Sequence, residues 1–242
     1  MKVSMFITCL SDAIYPRVGE AMARLLARYG VTLEFPSVQT CCGQPAFNSG
    51  YWNEARATAK TIIDAFEDSD FVVSPSGSCT GMLHHYPKLF ENDSVMLERA
   101  KALQTKSYEF TQFLVNVLGV TDVGATFPHK VTYHPSCHGT RLLGVKDEPM
   151  TLMSNVRGLE LVPLPHAEDC CGFGGTFAVK MSHISGAMVN EKSDHVKETE
   201  AEVLVGLDMA CLMNIGGNLH YRNEPVRVMH LAELLYEGVK GA

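Results

Sequence analysis

The sequence predicts an α/β fold built from two similar Rossmann-like units, each with mostly parallel strands. Two observations support this prediction. Short apolar segments alternate with amphipathic segments along the chain of 242 residues, which is typical of parallel strands joined by helices. The eight cysteines are also arranged in two matching sets, each with a single cysteine, an adjacent pair followed by glycine, and a last single cysteine. We therefore expect one structural unit to occur twice.

The first unit is expected in residues 1–92. Three short apolar segments predict its buried strands, and these are Val3–Thr8, Thr32–Phe35 and Phe71–Val73. Apolar residues recur at helical spacing from Val18 to Tyr29 and from Tyr51 to Phe66, so a helix should follow each of the first two strands. Each strand leads into a cysteine or a cysteine pair.

Residues 93–128 are interpreted as a helical bridge between the units. Asp93 or Ser94 is suited to cap the beginning of a helix, and Gly119 to end it. The apolar stripe of this helix is expected to comprise Leu103, Phe110, Leu114 and Leu118.

The second unit is expected in residues 129–242 and repeats the order of the first. Its strands are predicted at Val131–Tyr133, Leu159–Val162, Val203–Val205 and Val226–Met229. Helices are predicted at Pro149–Val156, over residues 182–200, and at the end of the chain to about Val239.

The cysteines are expected on loops at the carboxyl ends of the strands. In open parallel sheets these ends share one edge, and ligands bind outside that edge. We predict two cofactor- or metal-binding sets there. The first comprises Cys9, Cys41, Cys42 and Cys79, and the second comprises Cys137, Cys170, Cys171 and Cys211.

Four thiols per set is the number that either a tetrahedral zinc ion or a [4Fe–4S] cluster takes. Structural zinc sites usually draw ligands from pairs spaced two to four residues apart, whereas most of these cysteines are far apart in sequence. Adjacent cysteines also suit a cluster, because its separate iron atoms can each take one sulfur. An iron–sulfur cluster in each set is therefore favoured, zinc in one set stays possible, and thiol–disulfide chemistry is a third interpretation.

Other residues near the cysteines have weaker claims. Backbone N–H groups of the glycines after each pair, Gly43 and Gly172, can point at electron-rich sulfur. The histidines near the second set are more often packed or surface residues than ligands in a chain with ten histidines, and these are His134, His138 and His166.

Composition excludes some partners and suggests a compartment. The net charge of −7 provides no basic surface for nucleic acid, and no segment has the apolar length of a membrane span or a signal peptide. A cytoplasmic location is therefore expected, where reduced thiols make four structural disulfides improbable.

Several longer motifs around the cysteines resemble those of the cysteine-rich CCG-domain family. This family includes the heterodisulfide reductase B subunit, the glycolate oxidase iron–sulfur subunit and proteins of lactate utilization, and the last are the most similar. The matching motifs are Cys41–Ala46, Ser74–Thr80, Gly144–Pro149, Cys170–Phe177 and Cys211–Gly217.

The resemblance implies a cytoplasmic iron–sulfur subunit of a complex that oxidises L-lactate, or another 2-hydroxy acid, to the keto acid. The implied partners are two other lactate-utilization proteins, one of them an iron–sulfur protein. The alternative functions are a zinc-stabilised scaffold subunit of the same complex and a thiol–disulfide redox protein. The fullest family motif has five thiols per set, but Ser76 and Asn214 stand at two of those cysteine positions. This departure favours an ordinary [4Fe–4S] cluster, a smaller cluster, or zinc in one half over a five-ligand cluster.

Overall fold

The computed structural model describes residues 1–240 of the chain, and within them the strands form two parallel sheets connected by helices. The strands are β1 (Lys2–Met5), β2 (Thr32–Glu34), β3 (Phe71–Ser74), β4 (Ser107–Glu109), β5 (Lys130–His134), β6 (Glu160–Val162), β7 (Val203–Gly206) and β8 (Arg227–His230). The helices of the first half are α1 (Cys9–Ala13), α2 (Pro16–Ala27), α3 (Gln44–Asn48), α4 (Trp52–Ala65), α5 (Gly77–Leu89), α6 (Ser94–Lys106) and α7 (Phe110–Gln112). Those of the second half are α8 (Cys137–Leu142), α9 (Asp147–Ser154), α10 (Thr176–Lys180), α11 (Ser182–Glu198), α12 (Met209–Tyr221) and α13 (Leu231–Lys240).

Both sheets have the same strand order, β2-β1-β3-β4 in the first and β6-β5-β7-β8 in the second. Every pairing is parallel, and the register repeats as well. Val3 of β1 pairs with Phe71 of β3, as Val131 of β5 pairs with Val203 of β7. The predicted fold of two similar α/β units with parallel strands is confirmed.

The repeat extends to the burial of single residues. Along α4 and α11 with their flanking turns, residues 51–70 and 181–200 have the same sequence of buried, half-buried and exposed positions. Position 62 therefore corresponds to position 192, because each is the twelfth residue of its matching stretch and lies on the equivalent helix. This correspondence allows the two halves to be compared residue by residue.

The halves share one hydrophobic core and each has a further core of its own. Helices α2 and α13 pack against each other, so that Met22 and Leu234 belong to one buried cluster with Val3 and Val131 of the two central strands. The separate cores include Phe66 in the first half and Leu204 in the second. The shared core fixes the two halves relative to each other.

The segment expected to be a helical bridge contains a strand. Ser107–Glu109 pairs with β3 and completes the first sheet, between α6 and α7. A π-helical turn, Phe113–Val117, follows α7. A three-residue strand leaves no alternating pattern in the sequence, and the apolar residues on either side fitted one continuous helical stripe. The boundaries at residues 92 and 128 between the expected units stay a prediction.

Among residues 1–240, no helix combines the length and the apolar character that crossing a membrane requires.

Candidate metal centres

The single cysteines lie in the first turns of helices that follow the central strands. Cys9 and Cys137 begin α1 and α8, while Cys79 and Cys211 lie in the first turn of α5 and α12. In each of these helices a polar side chain accepts a hydrogen bond from the first turn, and these capping residues are Thr8, Ser76, Ser136 and Asp208. The caps fix the turns that carry the four thiols.

The paired cysteines lie on the loops after β2 and β6. Each pair is followed by a glycine in the left-handed region, with φ of 82° at both Gly43 and Gly172. This conformation turns the glycine N–H back toward sulfur. The Gly43 nitrogen lies 3.5 Å from Sγ of Cys41, and the Gly172 nitrogen lies 3.4 Å from Sγ of Cys170. The expected contact between glycine N–H and sulfur is therefore present in both halves.

Within each set the thiols form a chain of hydrogen-bonding contacts. In the first set Cys9 contacts Cys41, and Cys41 contacts Cys42. Cys42 then lies 3.5 Å from Cys79, measured between their Sγ atoms. The second set repeats this order through Cys137, Cys170, Cys171 and Cys211. Both sets therefore bring their four sulfurs together.

The first cysteine of each pair is the one best suited to be a thiolate. Hydrogen bonds from Cys42 and Cys9 lower the pKa of Cys41, and those from Cys137 and Cys171 lower the pKa of Cys170. The glycine N–H groups act in the same direction. Cys42 donates such a bond and is buried, and both effects raise its pKa. Each set thus concentrates negative charge on one half-exposed sulfur.

The two sets face one cavity between the halves of the molecule. All eight cysteines line this cavity, which has a volume of about 130 Å³. Its wall also includes Gln44, His138 and Phe173. The sequence predicted two separate sites, and only the structure brings them together.

Contacts near the cavity hold the halves close to each other. The Asp208 carboxylate accepts hydrogen bonds from the Ser76 hydroxyl, at 2.9 Å, and from the Ser78 N–H, at 2.8 Å. Gly77 and Gly139 also meet there, because a Cβ on Gly77 would lie 3.0 Å from the Cα of Gly139. A larger residue at position 77 would push the two thiol sets apart.

The duplicated thiol geometry agrees with a comparison to known families. The family model described as the CCG cysteine-rich domain matches residues 3–84 and 131–216, one match on each half. The chain belongs to this family. Among similar curated relatives is "Lactate utilization protein A" of Geobacillus thermodenitrificans, 57% identical over 97% of this chain and 98% of its own length. Proteins of the same name from Oceanobacillus iheyensis and an Exiguobacterium species are 57% and 54% identical, over 97% and 99% of this chain and 96% and 99% of their own lengths.

Two positions at which the fullest CCG motif has cysteine serve as hydrogen-bonding residues in this chain. Ser76 caps α5 by accepting a bond from the Cys79 N–H. The Asn214 amide donates to the carbonyl of Cys171 at 2.8 Å, as the Tyr86 hydroxyl does to the carbonyl of Cys42 at the same distance. Both donors hold the loop that carries a cysteine pair.

The structure separates the three histidines near the second set. One ring nitrogen of His134 and the sulfurs of Cys171 and Cys211 all lie within 4.8 Å of one another. Nδ1 of His138 lies 3.5 Å from Sγ of Cys137. His166 instead stacks on His195 and is largely exposed. Nothing in the sequence analysis favoured His134 over the other two histidines, although comparison of the residues three before Cys9 and Cys137 would have singled it out.

Lys192 is a further residue that the sequence analysis missed. Its side chain is buried within the second half, where burial lowers the pKa of its ammonium group. The ammonium donates to the carbonyls of His166, at 2.6 Å, and Ala167, at 3.3 Å, in the loop before Cys170. The corresponding residue of the first half is Ile62, so within residues 1–240 a buried cation lies beside the second set and not at the equivalent position of the first.

Proposed function

We propose that this chain is an iron–sulfur redox protein of lactate utilization in which each thiol set holds one [4Fe–4S] cluster. One observation carries the proposal. Two four-thiol sets of the same construction, formed by equivalent elements of two repeated sheets, line a single cavity. Two redox groups held so close together are suited to moving electrons between them.

The donor set fits such a group. The four thiols of each set are brought together, and thiolates are the ligands that iron–sulfur clusters take. Adjacent cysteines can serve separate iron atoms of a cluster, whereas they converge poorly on one compact ion. Glycine N–H groups lie against Sγ of Cys41 and Cys170, and such hydrogen bonds to sulfur tune the potential of a cluster.

A bound cluster supplies reversible one-electron chemistry. The cysteines of this chain bind it, and the carbonyl contacts of Asn214 and Tyr86 keep the paired-cysteine loops in place. The capped first turns of α5 and α12 position Cys79 and Cys211, which are buried and therefore shielded from water. The chain thus provides ligands, orientation and exclusion of solvent.

The substrate is proposed from the relatives named for lactate utilization. Oxidation of L-lactate to pyruvate releases two electrons and two protons, and two one-electron groups in one protein match that number. We propose that two other lactate-utilization proteins, one an iron–sulfur protein, form a complex with this chain in the cytoplasm. Removal of hydrogen from the 2-hydroxy acid is assigned to a partner, and this chain transfers the electrons.

The proposal is tested by measuring iron, zinc and acid-labile sulfide on protein purified without oxygen. We expect about eight iron atoms and eight sulfides per chain. Two double variants then separate the sets. Cys42→Ser with Cys79→Ser should remove the iron of the first set, and Cys171→Ser with Cys211→Ser that of the second.

Each double variant should retain about half of the iron. After reduction, it should show the spectrum of the one remaining cluster. Protein with stoichiometric zinc and no sulfide would contradict the proposal and support the zinc-stabilised scaffold. About four irons together with one zinc would mean that only one half transfers electrons.

A further inference from the structure

The two thiol sets differ in one buried residue beside each of them. His134 and Phe6 both lie three residues before the first cysteine of their set, at the carboxyl ends of the equivalent strands β5 and β1. Both side chains are almost completely buried. An aromatic ring therefore fills this position in each half, but only the second half has ring nitrogens there.

His134 has no hydrogen-bond partner for either ring nitrogen within residues 1–240, although both nitrogens are buried. A buried polar atom without a partner carries a desolvation cost that nothing repays. Phe6 shows that a purely apolar ring packs in the equivalent position. Packing alone therefore gives no reason for an imidazole, whereas a ligand at one nitrogen would offset this cost.

The position of the ring agrees with a role as a ligand. One nitrogen lies within 4.8 Å of the sulfurs of both Cys171 and Cys211, the two deeply buried thiols of the second set. Imidazole nitrogen and thiolate sulfur occur together as ligands of metal ions in proteins.

We propose that His134 is a nitrogen ligand of the metal group held by the second thiol set, so that this site has five donors and the first has four. The inference rests on the proposed function in that it assumes a metal group at the second set. The first set, with Phe6 beside it, is held by sulfur alone. The two sites are therefore chemically different even though the fold repeats.

A second difference between the sets concerns charge. The Lys192 ammonium is buried beside the second set, whereas Ile62 stands at the equivalent position of the first. A nearby cation stabilises the reduced, more negative form of a cluster. We therefore expect the second set to accept an electron at a higher potential than the first.

The test uses a variant in which only the second set can be loaded, with Cys42→Ser and Cys79→Ser in the first. The anaerobically purified, reduced protein is examined by pulsed electron paramagnetic resonance for a strongly coupled histidine nitrogen, and the nitrogen is identified by labelling histidine with ¹⁵N. We expect one coupled nitrogen, which His134→Phe removes. His138→Phe is the matched control, because it changes a neighbouring histidine of the same cavity wall and should leave the signal.

The outcomes separate this inference from the proposed function. Iron and sulfide at the expected content without a coupled histidine nitrogen would overturn the role of His134 and leave the iron–sulfur function intact. If the set holds zinc, zinc-edge X-ray absorption decides in the same way: a nitrogen in the first coordination shell supports the inference, and sulfur alone overturns it. A second set that binds no metal would overturn both proposals.

The measurement on unmodified His134 does not depend on the folding of any substitution at that position. His134→Phe should also fold, because it installs the residue that the first half has at this point. The reverse change, Phe6→His, tests sufficiency in protein whose second set is removed by Cys171→Ser with Cys211→Ser. We expect it to introduce a coupled nitrogen at the first set, and a first set that stays free of nitrogen would contradict the geometric argument.

Discussion

Ser76 donates a hydrogen bond from its hydroxyl to the Asp208 carboxylate, over 2.9 Å, across the boundary between the two halves. The two residues are equivalents of each other in the repeat, since each lies three positions before the last cysteine of its set and caps the helix that carries that cysteine. The fold thus joins its two thiol sets through their own helix caps. This contact is one route by which a displacement at one set can reach the other.

Loss of the Asp208 carboxylate should destabilise the protein more than loss of an ordinary cap. Both carboxylate oxygens accept hydrogen bonds, from Ser76, Ser78 and Ala210, so an amide at this position would direct N–H at a donor. We expect Asp208→Asn to lower the free energy of unfolding by roughly 2–3 kcal/mol, measured by chemical denaturation.

Asp93→Asn is the matched control for that change. Asp93 also caps a helix, but it is exposed and accepts one bond, from the Met96 N–H. Asparagine is an equally good cap, so the change should cost about 0.5 kcal/mol or less. Equal losses in the two variants would show that the Asp208 contacts across the boundary contribute nothing beyond capping.

Alanine should be tolerated far less well at Gly172 than at Gly43, although both glycines have a φ of 82°. A Cβ on Gly172 would lie 2.8 Å from the backbone oxygen of Ser185, whereas on Gly43 it would lie 3.4 Å from a Thr58 side-chain carbon. We expect a loss of about 1 kcal/mol for Gly43→Ala from the conformation alone, and of roughly 3 kcal/mol for Gly172→Ala.

A third glycine calibrates this comparison. Gly186 lies within α11, and a Cβ there would meet no described atom within 4 Å. Gly186→Ala should raise the free energy of unfolding by about 0.5–1 kcal/mol, because alanine favours the helix. Similar losses for Gly43→Ala and Gly172→Ala would refute the proposed contact with Ser185.

Removal of the buried Lys192 charge should affect the second set alone. In Lys192→Ile, which installs the residue of the first half, a cation near the second set is lost, so the reduced, more negative cluster is less stabilised. We expect its midpoint potential to fall by some tens of millivolts, as one unit charge at an effective dielectric constant of ~20 would cause. A redox titration followed by electron paramagnetic resonance measures each cluster separately.

Lys197→Met provides the control for Lys192, because this lysine lies on the same helix but is exposed and paired with Glu224. Solvent screens its charge, and neither potential should move appreciably. An equal shift of both clusters in Lys192→Ile would indicate a general change in structure in place of a local electrostatic effect.

Glu109 should make the protein less stable as the pH rises from about 4.5 toward neutrality. Its carboxyl is fully buried at the end of β4, and burial raises its pKa to about 7 even though it accepts bonds from Thr111 and Gln112. The folded state therefore holds a proton that the unfolded state loses near pH 4.3, and the free energy of unfolding falls between about pH 4.5 and pH 7, by roughly 3 kcal/mol in all.

Glu109→Gln removes this titration. Chemical denaturation at pH 5 and pH 8 gives the free energy of unfolding of both proteins. The value for the variant, relative to that of the unmodified protein, should be roughly 3 kcal/mol more favourable at pH 8 than at pH 5. Glu98→Gln, at an exposed carboxylate paired with Lys101, should give curves parallel to those of the unmodified protein. Parallel curves for Glu109→Gln as well would mean that Glu109 has an ordinary pKa in the folded state.

Local patterns in the sequence were enough for the repeat and its strands. Strands such as Val131–Tyr133 are short, apolar and followed by cysteine, so their position and burial could be predicted within a few residues. The strand Ser107–Glu109 could not, because its place in the sheet depends on pairing with β3, which is distant in sequence. A short strand that is defined only by its pairing with a distant strand leaves no recognisable pattern in its own sequence.

The importance of His134 and Lys192 could not be judged from the chain alone. Each becomes informative through its burial beside the second thiol set and through comparison with Phe6 and Ile62, and the equivalence of position 192 with position 62 follows from the repeated pattern of buried residues. A lysine in a helix is normally taken to be exposed, since burial of its charge is costly.

The sequence by itself determined the fold class, the duplication and which eight thiols belong together, because these follow from residue type and spacing along the chain. Only the tertiary structure decided that both sets face one cavity, that Ser76 meets Asp208 across the boundary, and that an imidazole and an ammonium are buried at the second set, where the first has Phe6 and Ile62. The reason is physical. Spacing fixes what neighbours in the chain can do, whereas packing of α2 against α13 fixes how the two halves approach each other.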